Sequence, residues 1–196
     1  MIKRESRNRL KSFKSTFSNS RWFGSERFKY VNRTYTPKEV AEIQSTLKLI
    51  TPSHYLSKKL YWLLRENFKN RQCSNTFGAL DNIQVVTMCK YFTSIYVSGW
   101  QLSSTTDEPG PDFADYPYTT VPNHVNKLVK AMFLHDRRQN EERARMTPNE
   151  RSKTPRIDFM CPIIADADAG FGGATSVMKL TKAFIEAGVA GIHIED

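Results

Sequence analysis

The chain has 196 residues and a net charge of +9, and its 39% hydrophobic and 25% charged residues are typical of a globular domain. No apolar run is long enough to span a membrane, and three scattered cysteines, Cys73, Cys89 and Cys161, fit neither a disulfide framework nor a zinc site. Residues 1–35 hold ten Lys or Arg and two Glu, whereas residues 36–196 hold nineteen Lys or Arg and eighteen Asp or Glu. This nearly neutral body argues against a basic binding face, so we expect no nucleic-acid partner and no membrane partner.

Residues 1–35 form a basic N-terminal segment rich in Arg, Lys and Ser. Glu5 is the only acid among the first 21 residues. This composition is typical of a mitochondrial transit peptide and equally of a disordered basic arm. A secretory signal is not expected, because no apolar central region follows the charges.

Residues 36–92 are predicted to be helical. A capping-box pattern at residues 36–39, with proline at the first helical position, predicts a helix that ends near Leu47. Apolar residues at helical spacing predict a second helix after Ser53 and a third over residues 81–92. The residues predicted to lie on the core side of these two helices are Leu56, Leu60, Leu63, Leu64 and Phe68, then Ile83, Val86 and Cys89.

A short strand is predicted over residues 94–97, and it is followed by Ser98, Gly99 and Trp100. Glycine lets backbone N–H groups approach a ligand closely, a serine hydroxyl can donate a hydrogen bond, and a tryptophan can form the wall of a pocket. The alternative is a simple turn in which the tryptophan only packs against its neighbours.

Residues 101–121 form a polar loop that contains Asp112 and Asp115. A loop of this length is usually functional or disordered, and this one follows a strand end where it can fold over a site. A long amphipathic helix is predicted after Pro122, and a second capping-box pattern at residues 147–150 indicates a short helix. The inward-facing residues of the long helix are predicted to be Val125, Leu128, Val129, Met132 and Phe133.

The last 36 residues are predicted to form a strand, a polar loop, a helix and a second strand. Residues 162–165 and 189–194 are short apolar runs of the kind that buried parallel strands need. Gly188 stands where a helix C-cap glycine is expected. The glycines of residues 170–173 do not have the spacing of a dinucleotide-binding loop.

Carboxylates follow both of these predicted strands. Asp166 and Asp168 come directly after the first strand, and Glu195 comes after the second. Because parallel strands place their carboxyl ends at one edge of the sheet, we expect these acids to lie close together. Grouped carboxylate oxygens suit Mg²⁺ or Mn²⁺. Ordinary turn chemistry is the alternative for a single strand end, but it is less favoured for two successive ends.

Four blocks occur in order along the chain: YVSGWQ, PDFADYP, PIIADADAGFGG and GVAGIHIED. Together they resemble the isocitrate lyase family over residues 22–196. The resemblance implies an α/β fold, a (β/α)₈ TIM-type barrel preceded by a helical region. Because a barrel of this kind needs about 250 residues, we expect only its N-terminal part here, with the barrel incomplete. The expected organisation is a basic arm or transit segment at 1–35, a helical region at 36–92, and the first part of the barrel at 93–196.

The family resemblance also implies a reaction and a substrate site. The expected activity is the Mg²⁺-dependent cleavage of isocitrate, a small-molecule substrate, into succinate and glyoxylate. The turn formed by Ser98, Gly99 and Trp100 matches the family's glyoxylate-binding turn, with Tyr96 just before it. A homotetramer is expected for the full-length protein.

The resemblance further implies a metal site. Asp166 matches the magnesium-ligating aspartate of the family. Asp168, Asp112 and Glu195 match acids of the outer shell, which hold metal-bound waters. This arrangement suits Mg²⁺, because that ion gives up its hydration shell reluctantly.

Two departures from the family pattern stand out. Phe171 occupies the second position of GFGG, where many fungal isocitrate lyases have histidine, so the choice between isocitrate and 2-methylisocitrate stays open. The Lys-Lys-Cys-Gly-His block that carries the catalytic cysteine is absent and is expected beyond Asp196. We therefore expect an N-terminal fragment that is inactive alone, with an inactive remnant acting only in subunit assembly as the alternative. The compartment stays open between mitochondrion, glyoxysome or peroxisome, and cytoplasm.

Overall fold

The computed structural model describes residues 26–195 except 33, 44, 48 and 106–115. The predicted outer-shell residue Asp112 therefore lies outside the described residues. The chain divides into two compact units, residues 1–49 and 50–196. Across the described part of the chain, every helix is too short or too polar to cross a membrane.

The first unit contains a short 3-10 turn, Glu26–Phe28, and helix α1, Pro37–Ile43. The predicted capping box is confirmed, because the Thr36 backbone N–H donates to Glu39 Oε2 at 2.7 Å and the Glu39 N–H donates to Thr36 Oγ1 at 3.3 Å. The helix ends earlier than predicted.

The second unit is built on a three-stranded parallel sheet whose strands follow chain order. The strands are β1, Ile95–Val97, β2, Ile163–Asp166, and β3, Gly191–His193. The helices are α2, Pro52–Asn70, α3, Asn82–Met88, α4, Gly99–Ser103, α5, Thr120–Arg145, α6, Pro148–Lys153, and α7, Ala174–Ala187. Parallel neighbours need crossover connections, and α5 and α7 supply them. The described strands do not close a barrel.

The core lies between the sheet and its crossover helices. Ile95 and Ile163 are fully buried from β1 and β2, as parallel strands covered by helices require. Four of the five predicted inward residues of α5 are buried, namely Val125, Leu128, Val129 and Met132. The prediction for Phe133 is wrong, because its side chain is 45% exposed. At about 100° per residue, the four buried positions span an arc of about 100° around the helix, and Phe133 falls about 40° beyond the edge of that arc.

The predicted apolar faces of α2 and α3 are only partly correct. Leu56 and Leu60 are buried against Ala190, but Leu64 and Phe68 lie further along α2 and are exposed. Helix α2 packs mainly against α7, which leaves the later part of its 19 residues uncovered.

On α3, Val86 and Cys89 are buried as predicted, but Ile83 is 80% exposed. The helix also ends at Met88, short of the predicted boundary, and is capped at its start by Asp81, whose side chain accepts from the Gln84 N–H.

The ends of the predicted strands differ in detail. Gly188, with φ of +99°, ends α7 in the left-handed conformation, as predicted for a C-cap glycine. Val189 and Ala190 then belong to the connection, so β3 is shorter than predicted. After β1, Ser98 does not start a simple turn. Its side chain accepts from the Gln101 N–H at 3.1 Å and so caps helix α4.

Candidate functional site at the carboxyl edge of the sheet

The carboxyl ends of the three strands place polar groups side by side. The register pairs Val97 with Ala165 and Asp166 with His193, so the residues that follow each strand emerge at one edge. The groups at this edge are Tyr96, Ser98, Gly99, Asp166, Asp168, His193 and Glu195. The edge therefore gathers every predicted site residue that the structure describes except Trp100, whose side chain is 57% exposed.

Asp166 is the central carboxylate of this edge. It is the last residue of β2 and is only 8% exposed. Its Oδ2 accepts from the Gly99 backbone N–H at 3.0 Å, and its Oδ1 accepts from the Asp168 N–H at 2.9 Å. Two charge-assisted hydrogen bonds thus hold a buried carboxylate in one orientation.

Asp168 shapes the loop that follows β2. Its φ of +50° is a left-handed conformation, which aspartate tolerates better than most residues. Its Oδ1 accepts from the Ala169 N–H at 2.6 Å, and its Oδ2 accepts from the Tyr116 hydroxyl at 3.3 Å. Its carbonyl accepts from the Glu195 N–H at 2.9 Å, so the segments after β2 and β3 are tied together.

The crowded surroundings of residue 99 explain why a glycine stands there. A Cβ added here would lie 2.1 Å from the Tyr116 hydroxyl oxygen and 3.3 Å from Asp166 Oδ2. Only glycine lets the start of α4 approach both groups while its N–H reaches Asp166.

His193 is the functional candidate that the sequence analysis missed. Its Nε2 lies 2.7 Å from the Tyr96 hydroxyl and 3.8 Å from Asp166 Oδ1, and its Nδ1 lies 3.7 Å from Glu195 Oε1. The Tyr96 and His193 rings stack with centroids 5.6 Å apart. One ligand atom each from Asp166, His193 and Glu195 fall within 4.8 Å of one another, as a metal site requires. Its place near the end of a predicted strand hints at the carboxyl edge, but its pairing with Asp166 follows only from the register of β2 with β3.

Two tyrosine hydroxyls at this edge stay protonated. Burial, followed by the charges of Asp166 and Glu195, raises the pKa of Tyr96 to about 12. Burial, followed by the charges of Asp166 and Asp168, raises the pKa of Tyr116 above its ordinary value. Both side chains are therefore hydrogen-bond donors at neutral pH.

The acids of this edge have no lysine or arginine partner in the described part of the chain. Among the described residues, the only ion pairs of Asp166 and Glu195 are with His193, and none involves Lys or Arg. Three surface grooves of about 300 to 500 Å³ are lined largely by residues of α5 and do not include these acids. The site is thus an open, negatively charged edge, and its chemistry suits a hard cation with oxygen ligands.

The comparisons with known proteins agree with this geometry. The Isocitrate lyase family matches residues 17–196. The chain is 52% identical to isocitrate lyase of Pinus taeda, covering 89% of this chain and 31% of that protein. It is 43% identical to the mitochondrial 2-methylisocitrate lyase of Hypocrea atroviridis, covering 89% of this chain and 32% of that protein. The solved structure of an oxaloacetate acetylhydrolase in complex with the product oxalate is also similar, with a TM-score of 0.50. The match covers 74% of this chain and 40% of that protein at 23% identity, and it supports the fold alone.

The fold and the site define an α/β protein with an acid-lined carboxyl edge on a parallel sheet. The chain belongs to the isocitrate lyase family. It spans about a third of the length of the curated relatives that it matches.

Proposed function

We propose that the full-length gene product is a carbon–carbon lyase that cleaves isocitrate into succinate and glyoxylate. The observation that carries this proposal is the Asp166 carboxylate, which is buried, fixed by two backbone N–H groups, and close to His193 and Glu195. In the part of the chain that the structure describes, no lysine or arginine forms an ion pair with it. Relatives named isocitrate lyase, 46 to 52% identical over 89 to 90% of the chain, support the same activity.

We also infer that β1 to β3 are the first strands of a (β/α)₈ barrel. Three parallel strands in chain order, each pair joined through a crossover helix, are how such a barrel begins. Active sites of these barrels lie at the carboxyl ends of the strands, where the acids of this chain are gathered. A homotetramer of the full-length product is part of the same proposal.

The residues at this edge fit a magnesium ion, with manganese as the alternative. Asp166 offers a carboxylate whose orientation is already set, and this makes it the proposed ligand. Asp168 and Glu195 flank it and are proposed to hold metal-bound waters, together with Asp112. When bound, the cation stabilises negative charge that develops on the substrate's oxygens.

The chain's own side chains handle the substrate and its proton. Retro-aldol cleavage removes the proton of the substrate's hydroxyl group and leaves an electron pair on the carbon next to a carboxylate. The Tyr96 hydroxyl and His193 Nε2, 2.7 Å apart beside Asp166, form a pair that can hold such a proton. The turn of Ser98, Gly99 and Trp100 is proposed to position the glyoxylate half.

A second candidate substrate is 2-methylisocitrate. Relatives carrying that name are 39 to 45% identical over 89 to 90% of the chain. Phe171 stands in the loop after β2, with its ring centroid 5.5 Å from that of Tyr116 in an edge-on arrangement. An apolar ring at this position is compatible with an extra methyl group on the substrate.

The test uses the full-length gene product with Mg²⁺ and both substrates. We expect glyoxylate from isocitrate with a higher kcat/KM than pyruvate from 2-methylisocitrate, and loss of both activities with a chelator. A higher kcat/KM for the methylated substrate would reverse the order of the two candidates. Cleavage of neither substrate, by protein that binds Mg²⁺, would overturn the proposed class.

A further inference from the structure

Tyr116 lies where three parts of the candidate site meet, although no strand end carries it. It comes just before α5 in the chain, yet it is only 5% exposed. Its hydroxyl donates to Asp168 Oδ2 at 3.3 Å. A buried tyrosine next to a carboxylate is thus contributed to the carboxyl edge from outside the sheet.

The position of the Tyr116 ring is fixed from two sides. Its hydroxyl oxygen occupies the space that a side chain at Gly99 would fill, 2.1 Å from the ideal Cβ position. The ring of Phe171 meets it edge-on, with an interplanar angle of 68°. The hydroxyl therefore has little freedom to point anywhere but toward the acids.

Asp168 depends on this donor for its orientation. One of its carboxylate oxygens is held by the neighbouring Ala169 N–H, which is a local contact. The other oxygen accepts from Tyr116, 52 residues away in sequence. Without the hydroxyl, the local contact is the only hydrogen bond to the carboxylate from the described residues, and rotation about the side-chain bond then moves the free oxygen away.

We propose that Tyr116 is a positioning residue that holds the Asp168 carboxylate in the orientation needed to receive a cation's bound water. This inference rests on the proposed function, because it assigns Asp168 to the outer shell of that cation. Outer-shell partners of metal ligands commonly change metal affinity by 10- to 100-fold. The competing explanation is that Tyr116 only fills space at the edge of the core.

The test measures Mn²⁺ affinity of the full-length gene product by electron paramagnetic resonance. The variant Tyr116→Phe keeps the ring and its contact with Phe171 but removes the donor. The matched control is Tyr118→Phe, which removes a hydroxyl from a side chain that is 45% exposed. We expect Tyr116→Phe to weaken Mn²⁺ binding about tenfold and the control to leave it unchanged.

A double-mutant cycle separates positioning from packing. If Tyr116 acts through Asp168, Tyr116→Phe will change Mn²⁺ affinity by less than about twofold in an Asp168→Asn background. An equal loss in both backgrounds, or no loss in either, overturns the positioning role while leaving the metal site intact. If the wild-type protein binds no Mn²⁺, the proposed function itself fails and this inference fails with it.

Discussion

The amino and carboxyl ends of the sheet differ in how their charged side chains are paired. At the amino end, Lys59 forms an ion pair with Asp158 and also donates to the Met160 carbonyl at 2.8 Å. At the carboxyl end, the Asp166 carboxylate accepts from two backbone N–H groups. Among the described residues, Asp166 and Glu195 have only His193 as an ionic partner. The charge of Asp158 is neutralised by another side chain of the protein. The grouped carboxylates at the carboxyl end have no such partner and can therefore bind a cation from solution.

Two cysteines near the amino end of the sheet also differ from the polar groups at the carboxyl end. Cys89 and Cys161 are both buried, at 5% and 2% exposure, and each thiol donates to a backbone carbonyl, Cys89 to Phe159 at 3.5 Å and Cys161 to Phe92 at 3.4 Å. The neighbouring Cys89 thiol, followed by burial, raises the pKa of the Cys161 thiol far above its ordinary value. A buried, protonated thiol is a packing group rather than a nucleophile.

The largest expected effect comes from removing the charge of Asp166. We expect Asp166→Asn to weaken Mg²⁺ and Mn²⁺ binding by more than about 100-fold, because the change reaches the proposed ligand itself rather than its surroundings. The fold should survive, since the amide oxygen can still accept from the Gly99 N–H, and only the acceptor of the Asp168 N–H is lost. Calorimetric titration of the full-length gene product measures the affinity, and circular dichroism checks the fold.

Asp158→Asn is the matched control for this change, because it removes one carboxylate from the opposite end of the sheet. Its cation affinity should equal that of the wild-type protein. The contrast between the two ends would be wrong if both variants bound Mg²⁺ equally well.

Two glycine substitutions test how closely the backbone at Gly99 approaches the Tyr116 hydroxyl at the carboxyl end of the sheet. Gly99→Ala should lower the free energy of unfolding by about 1–3 kcal/mol, because the new methyl group overlaps the Tyr116 hydroxyl oxygen. Gly173→Ala is the control, since a Cβ there meets nothing within 4 Å. Urea denaturation of both variants gives the comparison, and equal stabilities would show that Tyr116 is free to move aside.

The protonation of Tyr96 gives a pH test of the same edge. Because its pKa in the folded state is raised to about 12, the unfolded chain releases this proton first as pH rises. Its contribution to stability is therefore fully present below about pH 10 and is lost as pH approaches 12. The difference in absorbance near 295 nm between wild type and Tyr96→Phe should show a midpoint near pH 12. A midpoint near 10 would mean that the hydroxyl is not shielded beside the acids.

Much of this edge could be predicted from local sequence. Apolar runs that end in acids placed Asp166 and Glu195 at neighbouring strand ends, and the structure has them there. The capping box of α6 was likewise predicted, and Thr147 and Glu150 exchange both of its hydrogen bonds. Such signals need only the chain's own periodicity and the residues next to it.

The groups that were missed depend on contacts distant in sequence. His193 becomes a site residue only because the parallel register sets it beside Asp166, and no local pattern fixes that register. Tyr116 reaches Asp168 across 52 residues from a polar loop. Helix α4 was read as a turn, because its five residues are too few to show a helical period.

The smallest expected effect lies at the amino end, in the ion pair of Lys59 with Asp158. Both side chains are partly exposed, at 38% and 60%, so solvent screens their attraction. Lys59→Met should lower the free energy of unfolding by no more than about 1 kcal/mol and leave Mn²⁺ affinity unchanged. Lys69→Met, on the last turn of the same helix α2, controls for the loss of one positive charge. A fall in Mn²⁺ affinity with Lys59→Met alone would show that the two ends of the sheet are energetically coupled, because a screened charge this far from the acids cannot act on a bound cation directly.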